Sequence, residues 1–206
     1  MSGTAGVTAH AGRADSMSAE PVVLALGSNL GDREATLTRA VHDLRAVRGL
    51  TVSDVSGLYE SVAVKVHGID DSAPRYLNGV VVGSYHGDPL HLLAAVNAIE
   101  ADHGRVRTER WGDRTLDIDI VLIGALEQTD ARLTLPHPRA IERDFVLAPW
   151  LDVDPDAVLP GHGLVRDLLA ATTASTLPYA HPSAAAPVLD PVPASVPASA
   201  PDPAAR

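Results

Sequence analysis

Residues 116–122 alternate between apolar and acidic side chains, and this pattern constrains the fold more than any other in the chain. The apolar members at the even positions are Leu116, Ile118, Ile120 and Leu122. An apolar residue at every second position is typical of a β-strand. Asp117 and Asp119 occupy the odd positions, so both carboxylates are expected on the opposite face of the strand, about 7 Å apart along it.

Two carboxylates on one strand face repel each other unless a cation lies between them. Magnesium, held by carboxylates together with substrate phosphates, is the usual solution. Arginines, whose guanidinium groups suit phosphate oxygens, precede the strand: Arg105, Arg107, Arg110 and Arg114. The two features together predict a site for a metal-complexed polyphosphate. The plainer alternative is a solvated strand face, and the arginines together with Trp111 count against it.

The composition excludes several classes of protein. The chain has 206 residues and 46% hydrophobic content, enough for one core. It has no apolar run of transmembrane length, no secretory signal in its first residues and no cysteine, which fits a cytoplasmic protein. The net charge of −10 argues against nucleic acid or a membrane surface as a partner.

Composition also predicts where the folded domain begins and ends. Residues 1–20 are rich in small residues and are expected to be a disordered leader. Residues 176–206 are rich in proline and alanine and have too few large apolar side chains to offset the entropy of ordering them. They are expected to form a flexible tail, which leaves residues 21–175 as the folded domain.

The order of elements within the domain indicates a fold class. The predicted strands are residues 22–26, 50–59, 76–83 and 116–122. Asp32 suits the N-cap of a first helix that ends near Gly49, and Asp88-Pro89 suits the start of a second helix. Residues 60–75 lack periodicity and predict a long loop. The order β-α-β-β-α-β is ferredoxin-like, an α+β fold with an antiparallel sheet and helices packed on it.

The chain continues past the fourth predicted strand. A further helix is expected to contain Arg139, Arg143 and Phe145. Residues 146–158 are apolar but interrupted by proline, which predicts an irregular extension. A short helix is expected near residues 165–171.

Five segments of the chain form a recognisable series: ALGSNLG at 25–31, YLN at 76–78, GRVR at 104–107, RWGDRTLDIDI at 110–120 and LPHP at 135–138. Together, and in this order, they resemble 6-hydroxymethyl-7,8-dihydropterin pyrophosphokinase, an enzyme family of folate biosynthesis. The resemblance extends over about residues 22–170. It implies transfer of the β,γ-pyrophosphoryl group of ATP to the pterin hydroxymethyl, with AMP as the leaving group, by a monomer whose partners are ATP and 6-hydroxymethyl-7,8-dihydropterin.

The resemblance also implies roles for particular residues. Asp117 and Asp119 match the ligands of two Mg²⁺ ions that bind with ATP, and Arg105 and Arg114 match catalytic arginines. Positions on the nucleotide side are Glu100, Arg107, Trp111, Arg114, Arg132, Thr134, His137 and Arg143. Positions in the pterin pocket are Ser61, Tyr76, Asn78 and Phe145.

Two departures from the family pattern keep other functions open. The family commonly has threonine and proline in the loop after the second strand, where this chain has Ser61 and no proline. Asp113 stands beside Arg114, where the family has a small residue or proline. Its carboxylate either draws that guanidinium away from phosphate or faces water. A nucleotide-binding relative without turnover is therefore one alternative, and another magnesium-dependent phosphohydrolase is a second.

Overall fold

The computed structural model of the protein describes residues 18–65, 68–70, 74–104, 114–129 and 131–180. Its strands are β1 (Glu20–Ser28), β2 (Leu50–Val55), β3 (Tyr59–Ser61), β4 (Ala63–Lys65), β5 (Gly68–Asp70), β6 (Tyr76–Tyr85), β7 (Asp117–Ile123), β8 (Gln128–Thr129), β9 (Thr134–Leu135), β10 (Val158–Leu159), β11 (Gly163–Leu164) and β12 (Thr176–Pro178). Its helices are α1 (Arg33–Arg45), α2 (Pro89–Asp102), α3 (Asp144–Val153) and α4 (Val165–Ala171), with a 3₁₀ turn at Ala140–Glu142.

The centre of the fold is an antiparallel sheet in the order β12-β3-β6-β1-β7, and β2 also pairs with β6. One face is covered by α1 and α2, which contribute Leu37, Leu44 and Val96 to a buried cluster. The opposite face is covered by α3 and α4, which contribute Leu147 and Val165 to a second cluster. The predicted α+β class, with helices packed on an antiparallel sheet, is confirmed.

The region expected to be an irregular extension begins as a regular helix. α3 runs through Pro149, although proline in a helix removes one backbone hydrogen bond. Burial of Val146, Leu147 and Trp150 against the second sheet face offsets that loss. The short helix near residues 165–171 forms as predicted.

Strand β7 departs from strict alternation at its second half. Ile118 and Ile120 pack with α1 and α2 as predicted, but Leu122 lies in the cluster on the opposite face. The pairing of β1 with β7 shifts register after Val23–Leu122, so that Leu24 pairs with Ile120. The extra residue between these two pairs is a β-bulge, which reverses the direction of every side chain that follows it.

The two predicted N-caps form. The Asp32 side chain accepts from the backbone of Ala35 at 3.0 Å, and Asp88 accepts from Leu90 at 2.7 Å with Pro89 at the first helical position. The end of α1 comes earlier than predicted, at Arg45. Gly49 instead turns the chain into β2 with φ +83, a conformation that favours glycine.

The middle of the chain is more broken than expected. The predicted strand over residues 50–59 is divided into β2 and β3. At the break, Val80 N donates to the Ser56 hydroxyl at 2.8 Å and not to a backbone carbonyl of the neighbouring strand. The predicted long loop contains a hairpin of β4 and β5. β6 extends to Tyr85, two residues beyond its predicted end.

The ordered chain continues past the boundary predicted at residue 175. β12 pairs with β3, with Thr176 opposite Ser61, and the Tyr179 amide donates to the Leu58 carbonyl at 2.8 Å. Backbone pairing with an exposed sheet edge needs no large apolar side chains, so the proline-rich composition did not reveal it. In the described part of the chain, no helix is both long enough and apolar enough to cross a membrane.

Candidate active site

One row of residues across the sheet joins the two halves of the predicted site. Gly27 of β1 lies opposite Asn78 of β6 on one side and opposite Asp117 of β7 on the other. Neighbouring strands are about 4.8 Å apart, which places Asn78 and Asp117 roughly 10 Å from each other. The predicted pterin pocket and the predicted metal ligands therefore lie on one sheet, two strands apart.

A cleft of about 890 Å³ lies above this row. Its floor is the end of β1 with its two neighbours, and its sides come from α3, α4 and the segment that follows α4. The sequence-predicted residues that line it are Ser61, Tyr76, Asn78, Arg114, Asp117, Asp119, Arg143 and Phe145. The fold therefore brings these eight side chains into one cavity. The volume of that cavity is of the size found for small-molecule sites.

Asp117 is paired with the arginine that stands three residues before it. Arg114 Nη1 donates to Asp117 Oδ2 at 2.6 Å. The Arg114 backbone is held in turn by Asn29, whose side-chain oxygen accepts from Arg114 N at 2.8 Å. Asn29 is buried, and its backbone N–H donates to the Arg114 carbonyl. The turn at residues 27–31 therefore positions the arginine.

Asp119 is paired with an arginine from the other side of the cleft. Arg143 Nη1 donates to Asp119 Oδ2 at 2.6 Å, and His137 Nε2 lies 3.8 Å from the same oxygen. The His137 Nδ1 accepts from Arg139 N at 3.2 Å, so the neutral ring carries its proton on Nε2. Burial lowers the pKa of His137, partly opposed by the charge of Asp119. The Nε2–H of the histidine thus faces the Asp119 carboxylate at 3.8 Å, beyond direct hydrogen-bond distance.

The two aspartates suit a metal ion that arrives with a ligand. Among the residues described, no three His, Cys, Asp or Glu side chains are grouped to hold an ion by themselves. Magnesium is commonly bound by one or two carboxylates plus phosphate oxygens. Asp117 and Asp119 are partly exposed to the cleft, at 25% and 32% of their side-chain surfaces, so a metal–phosphate complex can reach them.

At the opposite end of the cleft a buried amide lies beside a glycine. Asn78 is buried, and its side-chain nitrogen donates to Ser61 Oγ at 2.9 Å and to the Tyr59 carbonyl at 3.3 Å. These bonds turn the amide oxygen toward Gly27, where a Cβ atom would lie only 3.3 Å from it. The absence of a side chain at Gly27 therefore leaves the Asn78 acceptor open to the cleft.

Phe145 lies on the α3 side of the same cavity. The Arg143 guanidinium stands 5.5 Å from the centre of the Phe145 ring, within the range of a cation–π interaction. Tyr76 lies on the floor, with its ring near Gly27. Two aromatic residues and a buried amide match what is needed to stack on a heterocycle and read its edge.

Glu100, predicted on the nucleotide side, lies behind the sheet edge. It is 2% exposed, and its Oε1 accepts from Ile118 N at 2.8 Å. That N–H belongs to the residue between the two aspartates and points away from β1, toward α2. The structure therefore places Glu100 as a support of the strand that carries Asp117 and Asp119.

The remaining predicted residues fall outside the cleft or outside the described chain. Thr134 and His137 are half-buried beyond Asp119, and Arg132 is exposed near them. Arg105, Arg107 and Trp111 lie in residues 105–113, which the structure does not describe. Their predicted roles stay predictions.

Several lining residues were missed by the sequence reasoning. They include Arg139, Glu142, Asp144, Thr172, Thr173 and Ser175. The last three are small polar residues just before the proline-rich segment, without periodicity or a motif that would distinguish them. Only the return of the chain along β3 brings them to the cavity.

The chain matches the family model described as 7,8-dihydro-6-hydroxymethylpterin-pyrophosphokinase (HPPK) over residues 23–155. It is 39% identical over 141 residues to 2-amino-4-hydroxy-6-hydroxymethyldihydropteridine pyrophosphokinase of Synechocystis sp., a match that covers 68% of this chain and 70% of that protein. The protein of the same name from Pseudomonas aeruginosa is 41% identical over 150 residues, covering 73% of this chain and 90% of the relative.

Solved structures show the same fold. A crystal structure of Plasmodium falciparum HPPK-DHPS superposes with a TM-score of 0.56 at 15% identity, covering 76% of this chain and 46% of that one. A structure described as HPPK-DHPS in complex with substrates gives a TM-score of 0.56 at 14% identity, covering 75% and 43%. The chain therefore spans less than half the length of these solved chains, and the likeness establishes the fold.

Proposed function

The chain belongs to the 7,8-dihydro-6-hydroxymethylpterin-pyrophosphokinase family, and we propose that its cleft binds ATP and 6-hydroxymethyl-7,8-dihydropterin together. The reaction is pyrophosphoryl transfer from ATP to the pterin in folate synthesis. The observation that carries the proposal is the row Asn78–Gly27–Asp117. In this row, Asn78 would accept a hydrogen bond from the edge of the pterin ring, and Asp117 would bind the metal–ATP complex. The sheet fixes the distance between the two residues.

Asp117 and Asp119 are the proposed ligands of two Mg²⁺ ions that enter with the triphosphate. When bound, such ions neutralise charge on the phosphate oxygens between which the group is transferred. Arg114 and Arg143 hold the two carboxylates in the free protein. Their guanidinium groups are thereby kept within reach of phosphate oxygens, to which arginine binds well.

The pterin is assigned to the end of the cleft formed by Ser61, Tyr76, Asn78 and Phe145. The Asn78 oxygen accepts from the ring edge, and the two aromatic residues bound its faces. Orientation of the ring directs the hydroxymethyl group along the row toward Asp117. The hydroxymethyl oxygen attacks the β-phosphorus of ATP and gives up its proton to solvent. The bond from that phosphorus to the α,β-bridging oxygen breaks, and AMP leaves with that oxygen.

The same fit supports two narrower expectations. The protein is expected to act as a monomer, with ATP and pterin bound in the cleft of a single chain. A cytoplasmic location is expected from the cysteine-free composition. Size-exclusion chromatography with light scattering tests the first expectation, and fractionation of the source cells tests the second.

The activity is tested by incubating the protein with ATP, magnesium and the pterin and measuring AMP and pterin diphosphate. Both products are expected in equal amounts and only when all three components are present. The departures at Ser61 and Asp113 make a non-catalytic nucleotide binder the alternative outcome: ATP would bind without AMP formation. Phosphate release that does not depend on pterin would indicate a phosphohydrolase instead.

A further inference from the structure

A buried carboxylate outside the predicted site lies against the cleft. Asp144 is the first residue of α3 and is 5% exposed. Burial of a carboxylate is costly unless it is paired. Its partner is Ser175, whose backbone N–H donates to Oδ2 at 2.5 Å and whose hydroxyl lies 3.1 Å and 3.0 Å from Oδ1 and Oδ2. The position at the start of a helix adds a favourable interaction with the helix dipole.

Ser175 belongs to the segment of residues 172–175 that joins α4 to β12. Thr172, Thr173 and Ser175 all line the cleft. The segment is held at its far end by the next residue, because Thr176 pairs with Ser61 across β12 and β3. This short segment is therefore fixed at one side by a carboxylate of α3 and at the other by the strand that carries a predicted pterin contact.

Both anchors of the segment adjoin predicted pterin contacts. Asp144 is adjacent in sequence to Phe145, and Thr176 is opposite Ser61, both predicted pterin contacts. Asp117 and Asp119 are bonded to Arg114 and Arg143, and neither aspartate has a hydrogen bond to the segment among the contacts described. Residues 172–175 also lie beyond residues 23–155, the range matched by the family model.

We propose that Asp144 and Ser175 are a positioning pair that fixes residues 172–175 as the wall of the pterin subsite, and so determines pterin affinity. This inference rests on the proposed placement of pterin and ATP in the cleft. The pair acts through the wall and takes no part in the transfer itself. Its loss is expected to spare the metal–ATP end, because Asp117 and Asp119 are bonded to Arg114 and Arg143 and not to Asp144 or Ser175.

The test compares Asp144→Ala, Ser175→Ala and Asp144→Asn with the parent in steady-state assays of AMP formation, varying each substrate in turn. Asp144→Ala is expected to raise the KM for pterin about tenfold, since hydrogen bonds to a charged acceptor are lost. Ser175→Ala keeps the backbone bond and is expected to give a smaller rise. Asp144→Asn keeps an acceptor of the same shape and is expected to restore most of the pterin affinity.

The ATP KM and the kcat at saturating pterin are expected to stay within about twofold of the parent in all three variants, the scatter expected of sites that do not interact. Asp156→Ala is the matched control, because it removes an exposed carboxylate whose ion pair with Arg166 of α4 lies outside the cleft; it should leave both KM values unchanged. Equal losses for ATP and pterin, or a parent-like pterin KM in both Asp144→Ala and Ser175→Ala, would overturn the proposal. A parent that forms no AMP would instead contradict the proposed function.

Discussion

Arg143 and Asp119 form a direct ion pair, with Nη1 donating to Oδ2 at 2.6 Å. The arginine was predicted to contact nucleotide and the aspartate to bind magnesium. In the structure the two side chains bind each other instead. When the metal–ATP complex binds, Asp119 would exchange Arg143 for the metal ion. Arg143 would exchange Asp119 for a phosphate oxygen. The pair is therefore expected to open when the metal–ATP complex binds.

Arg143→Met tests that exchange. Removal of the guanidinium is expected to weaken ATP binding in the presence of magnesium about tenfold or more, the effect of losing charge-assisted hydrogen bonds. Isothermal titration with a non-hydrolysable ATP analogue measures it. Arg166→Met, which breaks the exposed pair with Asp156, serves as the control. Unchanged or tighter binding in Arg143→Met would mean that the arginine only competes with metal at Asp119.

Asp117→Asn and Asp119→Asn are expected to lower AMP formation by about two orders of magnitude or more, because metal-bound phosphate loses a charged ligand. Considered alone, two facing carboxylates would repel, and their removal would stabilise the free protein. The pairs with Arg114 and Arg143 reverse that sign, and each variant is expected to lose about 0.5–1 kcal/mol of stability. Thermal melts without ligand measure this loss of stability. Activity equal to that of the parent in both variants would mean that Asp117 and Asp119 bind no metal and only form a solvated strand face.

Glu100 offers a choice between a supporting and a nucleotide-binding role. Glu100→Gln keeps an oxygen for Ile118 N and is expected to retain stability and the ATP KM. Glu100→Ala leaves that buried N–H without its acceptor and is expected to cost about 1–3 kcal/mol of stability. Denaturant unfolding and ATP-dependent kinetics on both variants are the measurements. A raised ATP KM in Glu100→Gln at parental stability would favour direct nucleotide contact.

Tyr59 provides a pH-dependent test of the packing of β3 on α3. Burial, and next a hydrogen bond to Asp152 at 2.8 Å, raise the pKa of Tyr59 from 10.0 to about 12. A phenol with a raised pKa in the folded state contributes stability below pH 10 that is lost as the pH rises through about 12. In an absorbance titration, Tyr59→Phe is expected to remove a component that ionises near pH 12, and its stability deficit should shrink in the same pH range. A parental titration curve in Tyr59→Phe would contradict this assignment.

Two truncations separate β12 from the chain beyond it. Ending the protein after residue 175 removes the pairing with β3 and the Tyr179 contact. The expected cost is about 1–3 kcal/mol, or roughly 3–10 °C in melting temperature for a domain of this size. Ending it after residue 180 is expected to change neither melting temperature nor activity, since the proline- and alanine-rich remainder predicts little burial. Differential scanning calorimetry compares the two; identical melts would mean that β12 contributes nothing.

Local features of the structure were accessible from sequence because they depend on neighbouring residues. The caps at Asp32 and Asp88 follow from side chains that bond to the next turn. The shared face of Asp117 and Asp119 follows from the period of a strand. The fold class followed from the order of such elements.

Features that depend on distant parts of the chain were not accessible. The reversal of Leu122 comes from a bulge against β1, and the helix through Pro149 is stabilised by a sheet face formed elsewhere. β12 has no apolar pattern because its pairing uses only backbone groups. The ion pairs of Asp117 and Asp119 likewise depend on where the turn at Asn29 and the start of α3 meet the sheet.

The row through Gly27 makes the spacing between the two substrate subsites a property of the backbone. Asn78 and Asp117 are separated by two interstrand distances, and those distances are set by hydrogen bonds that do not depend on side chains. Loops around the cleft can therefore change in sequence, as the residues near Ser61 have, without altering the distance between Asn78 and Asp117. Tolerance to variation should end at Gly27 itself, where an added Cβ atom would lie 3.3 Å from Asn78 Oδ1 and 3.7 Å from Tyr76 Cδ1.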